Sequence, residues 1–310
     1  WVKLNTNENP YPPSPQALAA IRAVVAAEGA VLRLYPSPDA SPLREAAAKL
    51  HGFPAADILA GNGSDDLLNI LIRAYAGPGR PIGMLDPSYS LYPVLAAAQG
   101  AAVVKVPIRA DFSFDVEAVA KCGAPIFFLT NPNAPLGMSF SPAKVSELAR
   151  AFPGLLVVDE AYAAFADADC AELPKTHANV VVTRTFSKGH ALAGLRAGYA
   201  LCPPGLATIL HRVRDSYNLD RLAQVGAAAA LADTGWLHET VGKVRFERAR
   251  LTSGLVALGW SVVPSSGNFI LATPASAQRS ASPATGEHAF AFFRERKILV
   301  RRFPNHPLTA

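Results

Sequence analysis

Short apolar runs of four or five residues, each bounded by turn residues, alternate with amphipathic stretches from Pro42 onward. This alternation restricts the fold more than any other feature of the sequence. The runs are Ile82–Leu85, Ala102–Val106, Ile126–Thr130, Leu155–Val158, Val180–Thr183 and Gly198–Leu201. Most are apolar almost throughout, Lys105 being the one charged residue among them, so burial on both faces is expected, with the helical stretches between them as the cover. The pattern predicts an α/β fold with a mainly parallel sheet sandwiched by helices. Before it, residues 1–16 hold Pro10, Pro12, Pro13 and Pro15 and read as an extended arm. After about residue 205 the pattern changes to long helices, Leu206–Val213, Leu222–Ala232 and Trp236–Leu258. A strand, Phe269–Ala272, and a helix–strand pair, His288–Val300, complete a smaller α+β unit. The expected organisation is an arm with part of the small domain (1–30), a large domain (31–205), and an interdomain helix with a small domain (206–310). The Ser-, Ala- and Pro-rich stretch from Thr273 to Gly286 reads as a surface loop.

Composition removes several classes of function. No apolar run approaches the roughly 18–20 residues of a membrane span. Three scattered cysteines, Cys122, Cys170 and Cys202, suit neither a disulfide framework nor a metal cluster, and the seven histidines lack metal-ligand spacing. The net charge of +5 is not gathered into a run, which points to small anionic ligands and away from nucleic acid. The chain begins at Trp1 with no signal-like segment, so a cytoplasmic location is expected for what reads as the ordered part of a longer protein.

In an open parallel sheet, ligands bind beyond the carboxyl ends of the strands, and four polar constellations are expected there. Gly61-Asn62-Gly63-Ser64-Asp65 precedes a helical run, with Ser64 as a good N-cap. It reads either as a phosphate seat at a helix N-terminus or as an ordinary capped loop. Asp159 and Glu160 follow the run Leu155–Val158, as a ligand-facing acid or as a helix cap or structural ion pair. Lys188 ends Thr183-Arg184-Thr185-Phe186-Ser187-Lys188, a setting for an imine-forming nucleophile, and Arg196 follows eight residues later as a candidate anion clamp. The alternative, against which the apolar flanks weigh, is that both are surface cations. Asn131–Gly137 builds a rigid turn, and Tyr89 offers either an aromatic face or packing at the same edge.

Taken in chain order, these pieces resemble the fold-type-I, class II pyridoxal-phosphate-dependent aminotransferases, and most closely their histidinol-phosphate branch. The resemblance runs from about Leu4 to Phe303. It is carried by Leu4-Asn5-Thr6-Asn7-Glu8-Asn9-Pro10-Tyr11, Gly61–Asp65, Pro87–Tyr92, Asn131–Gly137, Val158-Asp159-Glu160-Ala161-Tyr162, Thr185–Lys188 with Leu192–Arg196, and Ile298–Arg301. It implies a seven-stranded sheet and pyridoxal 5′-phosphate as cofactor. Lys188 would hold the cofactor covalently and shuttle the proton. Asp159 would face its pyridine nitrogen and Tyr162 its 3′-oxygen, with Tyr89 stacked on the ring. Gly63, Ser64, Asp65, Thr185, Ser187 and Arg196 would surround its phosphate, and Tyr35 would reach that phosphate from the partner subunit of a homodimer. Arg301 would grip an anionic substrate group, with Asn7 and Tyr11 as further substrate contacts.

Two positions depart from the family pattern. Ala134 stands where the family has an asparagine facing the 3′-oxygen, so Tyr162 acts there alone or Asn133 or a water substitutes. The chain also ends at Ala310, ahead of the family's last arginine-bearing strand. The reaction implied is transamination, with glutamate giving 2-oxoglutarate and imidazole acetol phosphate giving histidinol phosphate. An aromatic amino-acid aminotransferase, a threonine-phosphate decarboxylase and a non-catalytic protein of the same fold are the alternatives.

Overall fold

The computed structural model describes residues 1–26, 29–274, 284–304 and 306–309. Its centre is a seven-stranded sheet. In chain order the strands are β1 (Ile58–Gly61), β2 (Ile82–Asp86), β3 (Val103–Pro107), β4 (Ile126–Thr130), β5 (Leu155–Asp159), β6 (Val180–Thr185) and β7 (Gly198–Leu201). Across the sheet they run β1-β7-β6-β5-β4-β2-β3, and only β7 is antiparallel to its neighbours. The mainly parallel α/β architecture expected from the apolar runs is therefore the one observed. The strand that the runs did not reveal is β1. Ile58-Leu59-Ala60-Gly61 is short and half made of weak strand formers, and it is held in place by pairing with β7.

The unbroken apolar runs work as the periodicity of a strand requires. Phe127 and Leu129 point into one buried cluster and Ile126 and Phe128 into the other. Leu156 and Val158 separate from Leu155 and Val157 in the same way. Helices cover both faces. Ser14 caps the helix Pro15–Val25 by accepting from the backbone of Gln16 and Ala17, and Ser141 caps Pro142–Ala151. The helix Arg221–Ala232 rests on Pro15–Val25 and Ser41–His51.

Beyond β7, the long helix Thr234–Ala257 leads to an antiparallel pair, Ser261–Val263 with Leu271–Thr273. The arm segment Val2–Lys3 pairs in parallel with Ile298–Leu299. The proline-rich arm is extended as expected, with its first helix beginning at Pro15. The surface loop expected between Thr273 and Gly286 gives up both ends to regular structure, Thr273 to a strand and Ala284 onward to the helix Ala284–Glu295. Residues 275–283 lie outside the described residues.

Under the sheet edge, Glu160 is fully buried and meets Arg184 Nη2 at 2.7 Å; Asp169 lies 3.1 Å from the same nitrogen. The Glu160 contact is ionic by distance, although the guanidinium is not aligned to hydrogen-bond it. The other oxygen of Glu160 accepts from Cys170 N at 2.6 Å. Glu160 is thus the structural ion pair, and Asp159, its neighbour, is left for the site. Arg184→Ala strands a buried carboxylate and should lower unfolding stability by about 3–5 kcal/mol. Urea denaturation measures this; a loss below about 1 kcal/mol would show that the pair contributes little.

Candidate active site

All the parallel strands present their carboxyl ends at one edge, and the register sets the acid there. Thr130, Asp159 and Thr183 are Cα partners across β4, β5 and β6. Asp159 is 1% exposed. Its Oδ2 accepts from Tyr92 Oη at 2.7 Å and its Oδ1 from Thr183 Oγ1 at 3.3 Å. The Tyr92 hydroxyl also lies 2.6 Å from Thr130 Oγ1. Burial pushes the Asp159 carboxyl up to about 6, against the hydrogen bond from Tyr92 and assisted by the charge of Asp65. No cationic side chain among the described residues pairs with it. A buried carboxylate held by neutral hydroxyls and a backbone N–H is a seat for a cation.

Lys188 follows β6. Its Nζ donates to Thr6 O at 2.8 Å and stands 5.8 Å from the centroid of the Tyr162 ring. Burial draws its pKa down while Glu8 and Asp65 pull the other way, so more of the amine is neutral and nucleophilic than for a surface lysine. Asn9 Nδ2 donates to the carbonyls of Lys188 and Gly189, both at 3.1 Å, and fixes the backbone that carries the amine. Tyr162 is buried edge-on to Phe269 at 5.0 Å between centroids, and its hydroxyl accepts from Asn7 Nδ2 at 3.0 Å.

The third group is the turn after β1. Gly63 has φ +82°, and a Cβ there would come within 2.6 Å of Arg196 Nη2, so only glycine fits. Gly63, and not Ser64, is the N-cap of the helix Ser64–Tyr75. It offers no side-chain cap, which leaves the first N–H groups to face a ligand. Arg196 reaches Asp65 Oδ2 at 3.2 Å and Ser187 Oγ at 3.1 Å, and Thr185 Oγ1 donates to that same Ser187 oxygen at 3.1 Å. Tyr89 donates to Asp65 Oδ1 at 3.2 Å and packs edge-to-face on Tyr92, which joins the turn to the buried acid.

The remaining expected residues fall into three settings. Tyr11 packs in the Tyr162 cluster beneath Lys243, whose Nζ is 5.4 Å from its ring centroid. Arg301 is exposed at the rim, with Nη2 3.5 Å from Ser90 Oγ. Asn133 is fully buried; its amide donates to Pro87 O and its carbonyl accepts from Leu136 N, both at 3.2 Å, so it ties its own turn to the loop that carries Tyr89. Ala134 packs among Tyr162 and Phe269. Tyr35 stands apart from all of these, 77% exposed and stacked on Tyr217 at 4.5 Å.

The chain as a whole is similar to known proteins. The profile of aminotransferase class I and II matches residues 1–306. A histidinol-phosphate aminotransferase of Geobacter sulfurreducens is 46% identical over 310 residues, covering 100% of this chain and 86% of that protein. One from Citrifermentans bemidjiense is 48% identical over 309 residues, covering 99% of this chain and 85% of that protein. The chain belongs to the histidinol-phosphate aminotransferases of class I and II. Among solved structures, the crystal structure of histidinol-phosphate aminotransferase from Sinorhizobium meliloti in complex with pyridoxal-5′-phosphate superposes with a TM-score of 0.88 at 31% identity. It covers 99% of this chain and 84% of that one.

The residues of this aminotransferase fit that cofactor. A buried acid without a cation, a desolvated lysine beside a tyrosine, and a helix N-terminus with an arginine suit in turn a protonated ring nitrogen, an aldehyde carbon and a phosphate. Sequence reading missed Tyr92, Thr130, Thr183 and Asn9 as parts of the site. Thr130 and Thr183 had a signal, because each is a polar residue near the end of an apolar run next to that of Asp159. Tyr92 and Asn9 had none, since only the fold brings them within reach of Asp159 and Lys188.

Proposed function

We propose that this chain catalyses transamination of histidinol phosphate with 2-oxoglutarate, giving imidazole acetol phosphate and glutamate, and that it works toward histidinol phosphate in histidine biosynthesis. The observation that carries the chemistry is Asp159, buried and without a cationic partner among the described residues, on the same sheet edge as the desolvated Lys188. Pyridoxal 5′-phosphate, when bound, supplies an electron sink for the carbanion left by removal of the substrate α-proton. Lys188 Nζ would hold the cofactor covalently and, once the substrate amine displaces it, would be free to take the substrate α-proton and return it. The Asp159 carboxylate would keep the pyridine nitrogen protonated, itself oriented by Tyr92 and Thr183. Tyr162 would serve the 3′-oxygen and Tyr89 the face of the ring. The N–H groups of Ser64 and Asp65, with Thr185, Ser187 and Arg196, hold the phosphate.

Arg301, exposed and next to Ser90, binds the anionic end of the substrate. The names of the relatives favour histidinol phosphate over aromatic amino acids as the substrate. Steady-state kinetics with histidinol phosphate, phenylalanine and tyrosine as competing donors test this reading. A higher kcat/KM for either aromatic amino acid overturns it.

The reading extends to a cytoplasmic homodimer, with an arm (1–30), a large domain (31–205) and a smaller part (206–310). The three cysteines are free, which suits a reducing compartment. No helix among the described residues is long and apolar enough to cross a membrane. Tyr35, with Leu32, Leu34 and Tyr217 exposed beside it, supports a face that a second copy covers, sending Tyr35 to the partner's cofactor phosphate. Tyr35→Phe should weaken cofactor binding by about tenfold, one hydrogen bond to a charged group. Mixing inactive Lys188→Ala protomers with Tyr35→Phe protomers should then rebuild one intact site per mixed dimer. If the mixture binds cofactor no better than the average of its parents, Tyr35 does not cross between subunits.

A further inference from the structure

The arm segment Thr6–Asn9 touches the site at three points, and one of them has a chemical consequence. Thr6 O receives the Lys188 ammonium, Asn9 holds the Lys188 backbone, and Asn7 Nδ2 donates to Tyr162 Oη at 3.0 Å. Among the described residues Asn7 is the only hydrogen-bond partner of that hydroxyl. Asn7 sits at φ +53°, a backbone state that asparagine tolerates better than most residues, and its carbonyl is held by Asn268 Nδ2 at 2.9 Å. The backbone that carries the amide is therefore held from a segment far away in the chain.

A phenol has one proton to give. With a donor already on its oxygen, that proton is free to point toward another acceptor, and the O–H becomes the stronger donor. We propose that Asn7 is a positioning residue for the reaction. It orients the Tyr162 hydroxyl so that the phenol gives its proton to the cofactor's 3′-oxygen, the interaction for which position 134, an alanine, offers no side-chain donor. This rests on the cofactor reading above. The charged groups facing the phenol are Asp159, Lys188 and Arg301. The Asn7 hydrogen bond lowers the phenol's pKa, while burial, the largest influence, raises it.

The test is spectroscopic and uses the holoenzyme. The absorbance of the bound cofactor is titrated with pH in wild type, Asn7→Gly, Asn7→Asp, Tyr162→Phe and the two double variants. Glycine relieves the positive φ while removing the amide, and aspartate keeps the shape while removing the donor. Losing a donor weakens the Tyr162 proton's hold on the 3′-oxygen, so both single variants should move the titration midpoint upward by about half a pH unit, the size of one net hydrogen bond. In the Tyr162→Phe background, Asn7→Gly should not move it further, whereas the charge that Asn7→Asp adds raises the midpoint in both backgrounds, so the glycine variant decides. For Asn7→Gly, a midpoint equal to wild type overturns the proposal, and so does a shift of the same size in both backgrounds, because Asn7 would then act elsewhere. Hydrogen exchange of the arm in the apoprotein reports whether Asn7→Gly merely frees the segment. If it does so while the midpoint moves equally with and without the phenol, the role is structural and the proposal fails. A wild-type protein that shows no cofactor absorbance at all defeats instead the functional reading on which this rests.

Discussion

Lys188→Ala is expected to lower turnover by at least about 10³-fold, since it removes the group that both attaches the cofactor and carries the proton. The variant should still fold. The lysine makes no ion pair among the described residues, and its one strong hydrogen bond goes to a backbone carbonyl, Thr6 O, that solvent can serve. Removing a desolvated amine also removes the cost of keeping it charged. Cofactor added to the variant should bind reversibly and dialyse away, whereas borohydride should lock it irreversibly to wild type. Retention of more than a few per cent of turnover, or borohydride labelling that persists without Lys188, removes this lysine from the mechanism. The apparent pKa governing wild-type cofactor attachment should lie below that of a surface lysine, the direction in which burial moves Lys188.

Asp159→Asn should reduce turnover by about 10²-fold or more, the usual cost of deleting one preorganised charge from a water-excluded site. Its effect on the cofactor-free fold should have the opposite sign. The folded-state pKa of Asp159, about 6, lies above the 3.8 of a free aspartate side chain. The fold therefore binds more protons than the unfolded chain between those values, and the buried charge costs stability at every pH above about 6. That cost fades as pH falls from 6 toward 4. Asparagine carries no charge, and it can keep the hydrogen bonds to Tyr92 and Thr183 because both hydroxyls can also accept. At pH 7.5 the apoprotein of Asp159→Asn should thus unfold at a temperature no lower than wild type, with any gap closing by pH 4.5. His51 and His190, both pushed down to about 4 by burial, destabilise the two proteins equally as acid is added, so the comparison isolates position 159. Thermal scans of the two apoproteins at the two pH values, with parallel rate measurements, decide the matter. A variant that is both inactive and markedly less stable at pH 7.5 would mean that Asp159 holds the fold together rather than serving the ring nitrogen.

These two residues also divide what a sequence can and cannot say. Each stands at or just past the end of an apolar run, and runs of that length with turn residues between them favour doubly covered strands, the edge strand Val103–Pro107, half-exposed, being the exception. The strand ends, the glycine turn before the helix at Ser64, and the acid–lysine order follow from local pattern, because hydrophobic periodicity and turn chemistry act over a few residues. Which of the adjacent acids enters the site was not legible in that way. Asp159 and Glu160 are neighbours of the same type, and alternation along the strand end sends one toward Tyr92 and Thr183 and the other beneath the sheet to Arg184. Ser64 was a sound N-cap by composition, yet the backbone at residue 63, with φ +82°, put glycine in that position. Strand β1 escaped notice because its residues favour a strand only weakly, and the partner that stabilises it, β7, lies more than a hundred residues further on.

By itself the sequence determined the periodicity, and with it the sheet, its helical cover and the edge at which polar side chains collect. The tertiary structure decided which distant groups meet there: Tyr92 on the acid, and Asn7, Thr6 and Asn9 from the arm on Tyr162 and Lys188. Local pattern fixes where backbone hydrogen bonds and apolar faces go, whereas the pKa of a carboxyl or an amine is set by whatever long-range packing puts within a few ångströms of it.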